Sequence, residues 1–376
     1  MKKSKHLALM LIISMIISLT ACMPKEHVLN NNSPDSADNT ITEVVSSDAT
    51  LTQSGENIAQ DSNSKFEVHF IDVGQADAAL IFSDSETMLI DGGNVDDSSL
   101  IVSYLKKHNI THLNYIVCTH AHEDHVGGLS GALSIATADK IFAPKTESDI
   151  KAYKNFKAKV AARGCTIENP KPGEFLKFGS STVLFLGPVH ENVSDINDTS
   201  IILKITYGET SFLFTGDAER EEEQSILSQN YNLSSTLLKV GHHGSADSTT
   251  YPFLREIMPE LAIISVGENN YGHPTEETLS RLHDAGVKVY RTDLHGDIIV
   301  SSNGKSVNIE TERNQNIDTN DAPSIKDNQK YIGNIKSKKF HLSSCHSLPY
   351  EKNRIYFKTK EEAIDLGYSS CRICTP

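Results

Sequence analysis

Tryptophan is absent and aromatic residues make up only 7% of the 376-residue chain, so an aromatic cage for a quaternary ammonium group has little to be built from. Positive charge is short as well: 35 Lys+Arg stand against 49 Asp+Glu, a formal net charge of -14. A protein that coats nucleic acid by bulk charge draws its affinity from lysine and arginine, and this balance excludes that class while leaving room for a local site. No internal repeat is evident. With 38% hydrophobic and 22% charged residues, 22 Gly and 12 Pro, the chain is not collagen, a coiled coil or wholly disordered. Its length predicts one large domain with additional segments.

Long apolar runs are missing except at the start. Lys2, Lys3 and Lys5 precede a mostly apolar stretch from Leu7 to Ala21, shorter than the ~20 residues that span a bilayer, which reads as an export signal. It ends Leu19-Thr20-Ala21-Cys22, which resembles a bacterial lipobox. That resemblance implies cleavage before Cys22, a diacylglycerol on its sulfur, and a mature protein held outside the cytoplasmic membrane by a lipid anchor. A plain signal peptide with an incidental cysteine is the competing reading. Residues 23–64 carry one Lys and seven Asp/Glu among many Ser, Asn and Thr, a composition that buries too little surface to offset ordering entropy, and they read as a disordered tether.

From Lys65 the pattern changes. Three short β-rich runs, Phe66 to Asp72, Ala78 to Phe82 and Thr87 to Ile90, read as a meander. Helix-period segments then alternate with strands: Ser98 to His108 before Leu113 to Cys118, Ala218 to Ser228 before Ser235 to Val240, Thr249 to Met258 before Leu261 to Val266, and Glu276 to Ala285 before Val287 to Tyr290. Ser200 to Thr206 and Ser211 to Phe214 form an expected hairpin. Mixed strand clusters and strand-helix units fit an α/β plan of two sheets covered by helices.

Chemistry concentrates at strand ends. Thr119-His120-Ala121-His122-Glu123-Asp124-His125-Val126-Gly127-Gly128 offers four imidazole or carboxylate ligands within six positions, enough for two metal ions. Downstream, Leu213-Phe214-Thr215-Gly216-Asp217 places a carboxylate at the tip of a buried strand, where it needs a partner or a cation, and Asp217 is a natural bridge between two metals.

The His120-x-His122-x-Asp124-His125 motif with Thr215-Gly216-Asp217 resembles the metallo-β-lactamase fold. Asp72-Val73-Gly74-Gln75-Ala76-Asp77, Leu89-Ile90-Asp91-Gly92-Gly93, Lys239-Val240-Gly241-His242-His243-Gly244-Ser245 and Tyr271-Gly272-His273-Pro274 are similar to the soluble hydrolase domain of ComEC-type competence proteins, over about residues 65–312. The resemblance implies an αββα sandwich with one or two divalent ions, Zn²⁺ or Mn²⁺, along one edge, and phosphodiester hydrolysis in the DNA-related members. It assigns His120 and His122 to the first metal, Asp124 and His125 to the second, and Asp217 to the bridge. One of His242 and His243 completes the second site. His242 is the favoured ligand, with His243 contacting the scissile phosphate and His273 a further acid, a phosphate contact or merely a loop residue. Asp124 is also expected to orient the attacking water. Asp77 and Asp91 are expected behind the ligands, orienting them as carboxylates do for metal-bound imidazoles. Where many relatives carry a third histidine, this chain reads Asp195-Ile196-Asn197-Asp198-Thr199-Ser200, so Asn197 and Ser200 would be weaker ligands of the first metal.

After a polar linker at 313–330, residues 331–376 hold eight Lys+Arg and four Asp/Glu, a net +4, on a piece too small to fold without a staple. His341 and Cys345 with Cys371-Arg372-Ile373-Cys374 supply a four-ligand zinc plan, with a disulfide as the competing reading. The segment from Phe340 to Pro376 resembles the zinc-binding domain of Ada-type DNA repair proteins, including Asn353, Glu362-Ala363 and Gly367-Tyr368. It departs at His341, where Ada has cysteine, so a structural or DNA-contacting zinc module is implied and methyl transfer is not. Cys118 and Cys165 are expected as buried thiols.

The leading expectation is a surface lipoprotein acting as a metal-dependent phosphodiesterase or nuclease on DNA, with Lys336, Lys338 and Lys339 as phosphate contacts or simply a solvated cluster. The alternatives are a phosphoesterase of phosphorylcholine on surface polymers and a non-catalytic DNA receptor. A multispanning channel of the kind found in ComEC-type proteins is not expected from this sequence, so transport by this polypeptide alone is not expected either.

Overall fold

A computed structural model describes residues 65–146, 148–190, 193–315, 317, 319, 331–342, 345–357, 359–374 and 376. The export signal, Cys22 and the tether lie outside the described residues, as does most of the 313–330 linker. No helix among the described residues is long and apolar enough to cross a membrane.

The first half runs β1 (Phe66–Phe70), β2 (Ala79–Ser83), β3 (Glu86–Ile90), α1 (Ser98–Lys107), β4 (His112–Val117), α2 (Glu123–Val126), α3 (Leu129–Ile135), β5 (Thr137–Phe142), α4 (Lys151–Ala162) and β6 (Ile167–Glu168). The second half runs β7 (Phe175–Phe178), β8 (Ser181–Gly187), β9 (Ile202–Tyr207), β10 (Thr210–Phe214), α5 (Arg220–Ser228), β11 (Leu237–Lys239), α6 (Tyr251–Ile257), β12 (Leu261–Ile264), α7 (Glu276–Asp284), β13 (Lys288–Arg291), α8 (Thr292–His295), β14 (Ile298–Ser302) and β15 (Val307–Thr311). The meander, the hairpin and the four helix-strand pairs all fall where periodicity places them.

Two sheets result, ordered β15-β14-β1-β2-β3-β4-β5-β6 and β13-β12-β11-β10-β9-β8-β7. Because side chains alternate across a strand, Phe66, Val68 and Phe70 of β1 and Ala79 and Ile81 of β2 face one core, together with Phe185, Leu203, Ile205 and Phe212 of the other sheet. Leu80 and Leu89 point the opposite way, into a second core with Ile101, Leu105, Leu133 and Phe156 of α1, α3 and α4. A third core joins Leu213, Leu238 and Ile264 to Ile226, Phe253, Leu254 and Leu282 of α5, α6 and α7. The order helix, sheet, sheet, helix is the αββα sandwich. Burial on both faces explains why β10 ends in three consecutive apolar residues, Phe212, Leu213 and Phe214, rather than alternating. The parallel pairs β3·β4 and β10·β11·β12 point their carboxyl ends to one edge, which is where open α/β sheets bind ligands.

The C-terminal piece forms its own sheet from β16 (Tyr331–Asn334), β17 (Lys339–Leu342), β18 (Arg354–Phe357) and β19 (Ser369–Ser370), ordered β18-β16-β17-β19, with α9 (Lys360–Asp365). Its core is small: Phe340, Phe357, Ala363 and Tyr368.

Candidate metal centre and its neighbours

Five strand ends supply the edge. Asp91 follows β3, the Thr119 to His125 loop follows β4, Asp217 follows β10, His242 and His243 follow β11, and Ser265 follows β12. Asp91 is buried in the left-handed region at φ 57. Its carboxylate accepts from the Thr119 backbone N–H at 2.8 Å, the Thr119 hydroxyl at 2.7 Å and His125 Nδ1 at 2.9 Å. Since His125 donates through Nδ1, its Nε2 is turned to Asp217, whose Oδ1 lies 3.2 Å away. The one-turn helix α2 then places Asp124 beside it. That turn packs so closely on the loop after β3 that a Cβ at Gly128 would stand 2.0 Å from the Gly92 carbonyl oxygen, which is why the motif ends in two glycines.

Asp217 is reached through Gly216, at φ 52, where a Cβ would press on Ser200 and Thr119. Its backbone N–H donates to Ser200 Oγ at 3.0 Å. His243 is buried; its Nδ1 donates to the Ser265 carbonyl at 2.9 Å, a group that can only accept. Its Nε2 therefore faces Asp124 Oδ2 at 3.3 Å and Asp217 Oδ2 at 3.6 Å. The donor atoms of Asp124, His125, Asp217 and His243 all lie within 4.8 Å of one another.

Behind this set, Asp77 Oδ1 is 3.5 Å from His243 Nδ1, and Asp77 Oδ2 is 2.7 Å from Lys239 Nζ, both side chains being buried. Asp77 and Asp91 thus stand at the far nitrogens of His243 and His125. Lys239 and Ser265 were not singled out from sequence. The signal for the lysine was available, since a charge closing the Leu-Leu-Lys strand must be paired once buried.

The electrostatics are those of a cation site. Burial lowers the His125 imidazole, but Asp217, Asp91 and Asp124 outweigh it and raise it well above the usual range. Burial likewise opposes, and His125 and His243 overcome, to hold Asp217 well below the usual carboxylate range. His125 Nε2, Asp217 Oδ1 and His243 Nε2 are buried without a hydrogen bond, an arrangement costing about 1–3 kcal/mol per group unless something polar meets them. Two imidazole nitrogens and two carboxylate oxygens fit a divalent ion such as Zn²⁺. A divalent ion on these atoms would take the place of the protons that the carboxylates hold on the imidazoles.

His120 and His122 lie next to this set. His120 Nε2 is 3.1 Å from His122 Nδ1 and 4.0 Å from Asp217 Oδ2, and burial first, with His125 second, pushes His120 well below the usual imidazole range. Of the residues expected as weak ligands of that first position, Asn197 keeps its amide oxygen buried without a hydrogen bond. Ser200 holds the Asp217 backbone, and the Asn197 amide nitrogen donates to Glu219 Oε1 at 3.1 Å.

The adjacent histidines divide differently from the expectation. His243, not His242, joins the four-residue set. His242 is about a quarter exposed, with Nδ1 3.2 Å from Glu219 Oε1 and Nε2 3.7 Å from Asp217 Oδ2. The cause is local: His242 and His243 both occupy left-handed backbone, at φ 47 and φ 50, so their side chains do not follow strand alternation. Strain of this kind, about 1–3 kcal/mol per residue, persists where the surroundings over-determine it. His273 sits beside His242, with ring centroids 5.3 Å apart.

In the C-terminal piece, His341, Cys345, Cys371 and Cys374 also bring their donor atoms within 4.8 Å. His341 Nδ1 is 3.4 Å from Cys345 Sγ, and the Leu342 and Ile373 N–H groups donate to Cys374 and Cys371 sulfur at 3.4 Å. Burial, reinforced by the other thiols, pushes Cys345 up to about 12, while backbone N–H donors outweigh burial and lower Cys371. All cysteines among the described residues are free, so the disulfide alternative is not formed. The donor set fits a closed tetrahedral zinc site.

A helix-sheet-sheet-helix sandwich with imidazoles and carboxylates converging at one edge defines a metal-dependent hydrolase. The chain belongs to the metallo-beta-lactamase superfamily, whose family description matches residues 71–268. The metal binding domain of Ada matches residues 312–376. The chain is similar to ComE operon protein 3 of Bacillus subtilis, 32% identical over 257 residues, covering 63% of this chain and 33% of that protein. It is also similar to competence protein ComA of Neisseria gonorrhoeae, 31% identical over 228 residues (60% and 30%), and to recombination protein 2 of Haemophilus influenzae, 29% identical over 247 residues (64% and 29%). The chain thus spans about a third of the length of these curated relatives.

Proposed function

We propose that this chain is a lipid-anchored, metal-dependent phosphodiesterase acting on DNA outside the cytoplasmic membrane, in a role allied to competence. The observation that carries the reading is the set of Asp124, His125, Asp217 and His243, whose inward atoms converge at one sheet edge, those of the last three buried and in part unsatisfied. Similarity to proteins named for competence and recombination supports nucleic acid as the substrate. The Cys22 lipobox supports the anchor.

In this reading His125, His243, Asp124 and Asp217 would hold one divalent ion, and the neighbouring His120 and His122 would help hold a second. A bound divalent ion there lowers the pKa of an attacking water and neutralises charge developing on a phosphoryl oxygen. Asp124, fixed by His243, orients the water. His242, which lies outside that four-residue set, contacts the scissile phosphate, and His273 beside it protonates the leaving oxygen. Asp91, Asp77 and Ser265 keep the ligand imidazoles turned inward. The C-terminal Zn²⁺ is structural.

The test is hydrolysis of single-stranded DNA and of bis-p-nitrophenyl phosphate with Mn²⁺ or Zn²⁺ by the chain and by Asp124→Ala. The expected result is turnover that falls by about 10²–10⁴-fold in the variant. A second reading, a DNA receptor without turnover, draws on the amide and hydroxyl of Asn197 and Ser200 standing at the first position where a third imidazole would bind more strongly; DNA retained without product would favour it.

A further inference from the structure

We propose that Tyr271 forms a nucleobase-stacking subsite that binds an unpaired base next to the scissile phosphate. The proposal rests on the phosphodiesterase reading above and names the form of substrate it prefers. Tyr271 lies in the loop between β12 and α7 and is 74% exposed. Its ring centroid is 5.8 Å from that of His273, tilted by 34°, and His273 is 5.3 Å from His242, whose Nε2 is 3.7 Å from Asp217 Oδ2. A row of three rings therefore leads from the bridging carboxylate to solvent.

Nothing in the packing of the fold calls for the outermost ring. The loop that carries it is nevertheless braced. Asn269 Oδ1 accepts the backbone N–H groups of Tyr271 at 3.0 Å, Gly272 at 2.9 Å and His273 at 3.0 Å. Its Nδ2 donates to the carbonyls of Gly267 at 2.9 Å and His273 at 2.8 Å. One side chain thus fixes the loop backbone before any ligand arrives, so binding pays less ordering entropy.

The chemistry of the ring selects the occupant. Every base presents a π-face, so stacking on tyrosine is tolerant of sequence, but bases inside a duplex have their faces covered by neighbours. An unpaired base does not. A chain of net charge -14 gains little from bulk attraction to phosphates, which leaves stacking a large share of strand binding.

The experiment compares KM and kcat of the mature chain with Mn²⁺ on a short single-stranded oligonucleotide, the same strand with every base removed, and a glycosyl phosphate polymer, whose sugar faces could also lie on tyrosine. Alongside, quenching of 2-aminopurine in the oligonucleotide reports stacking without turnover. The expected result is a KM about tenfold lower for the base-bearing strand, a ratio that falls close to one in Tyr271→Ala and survives in Tyr271→Phe, with kcat changed less than twofold. Quenching should follow the same order. Equal KM values in the unaltered chain, a ratio unchanged in Tyr271→Ala, or an effect of Tyr271 confined to the glycosyl polymer would overturn the proposal. If no strand is cleaved, the phosphodiesterase reading fails by itself, and the quenching series still decides whether Tyr271 stacks bases.

Discussion

The two ligand sets of this chain are built in opposite ways. The hydrolase ligands come from strand ends spread between His120 and His243, and two sheets with three cores set their positions. The four zinc ligands fall between His341 and Cys374, around a core of four buried side chains. In the first, the fold places the ligands, and the His125 and His243 imidazoles are each turned by a partner behind them. In the second, the metal must supply what so small a core cannot. The comparison teaches that one chain can bind one metal for chemistry and another for its own folding.

The sharpest way to break that contrast is Cys374→Ser. Zinc binding contributes on the order of 10 kcal/mol to the folding of small zinc modules. Hydrogen exchange should show residues 331–376 losing protection while β1 to β15 keep theirs; joint loss would erase the distinction. Next in size is Lys239→Met, which leaves the buried Asp77 carboxylate without its ammonium partner. It should cost about 3–5 kcal/mol in urea unfolding, and the double variant with Asp77→Asn should recover part of that. Asp91→Asn should keep the fold yet weaken metal binding at the hydrolase site by roughly 10–100-fold, measured by metal titration, with zinc retention in the C-terminal module unaltered.

The last effect is a pH slope, read over several pH units and not at a single pH. Glu222, buried beneath the Val189 backbone N–H, has its carboxyl pushed up to about 8 by desolvation, from an ordinary 4.5. The folded chain keeps that proton while the unfolded chain releases it, so this contribution is full below about pH 4.5 and is lost as pH rises towards 8. Glu222→Gln should flatten that part of the urea midpoint against pH and leave the zinc module's profile alone.

Much of this was legible in the sequence. Two sheets covered by helices followed from mixed strand clusters and strand-helix units, the αββα order itself came with the resemblance carried by the His120 to His125 motif, and the Thr119 to Gly128 ligands were visible because they are contiguous. The Asp217 carboxylate announced itself at the end of a buried strand. What stayed hidden depends on tertiary geometry. Which of His242 and His243 turns inward is decided by two consecutive left-handed residues, which no alternation rule covers. β14, with β15 paired on its far side, closes on β1 across more than two hundred residues, a pairing without local signal. The roles of Lys239 and Ser265 exist only because β11 and β12 end beside Asp77 and His243.

Arg354 of β18 extends the contrast between the two ligand sets. Its buried guanidinium stands 3.5 Å from Asp247 and 3.6 Å from Glu277, while Tyr350 donates to Glu221 at 2.8 Å. Trimming the chain to its hydrolase half for crystallisation or assay would uncover a notch of like charges four residues past His243. A shortened protein would therefore be a poor stand-in for the whole one unless Asp247 and Glu277 were neutralised along with the cut.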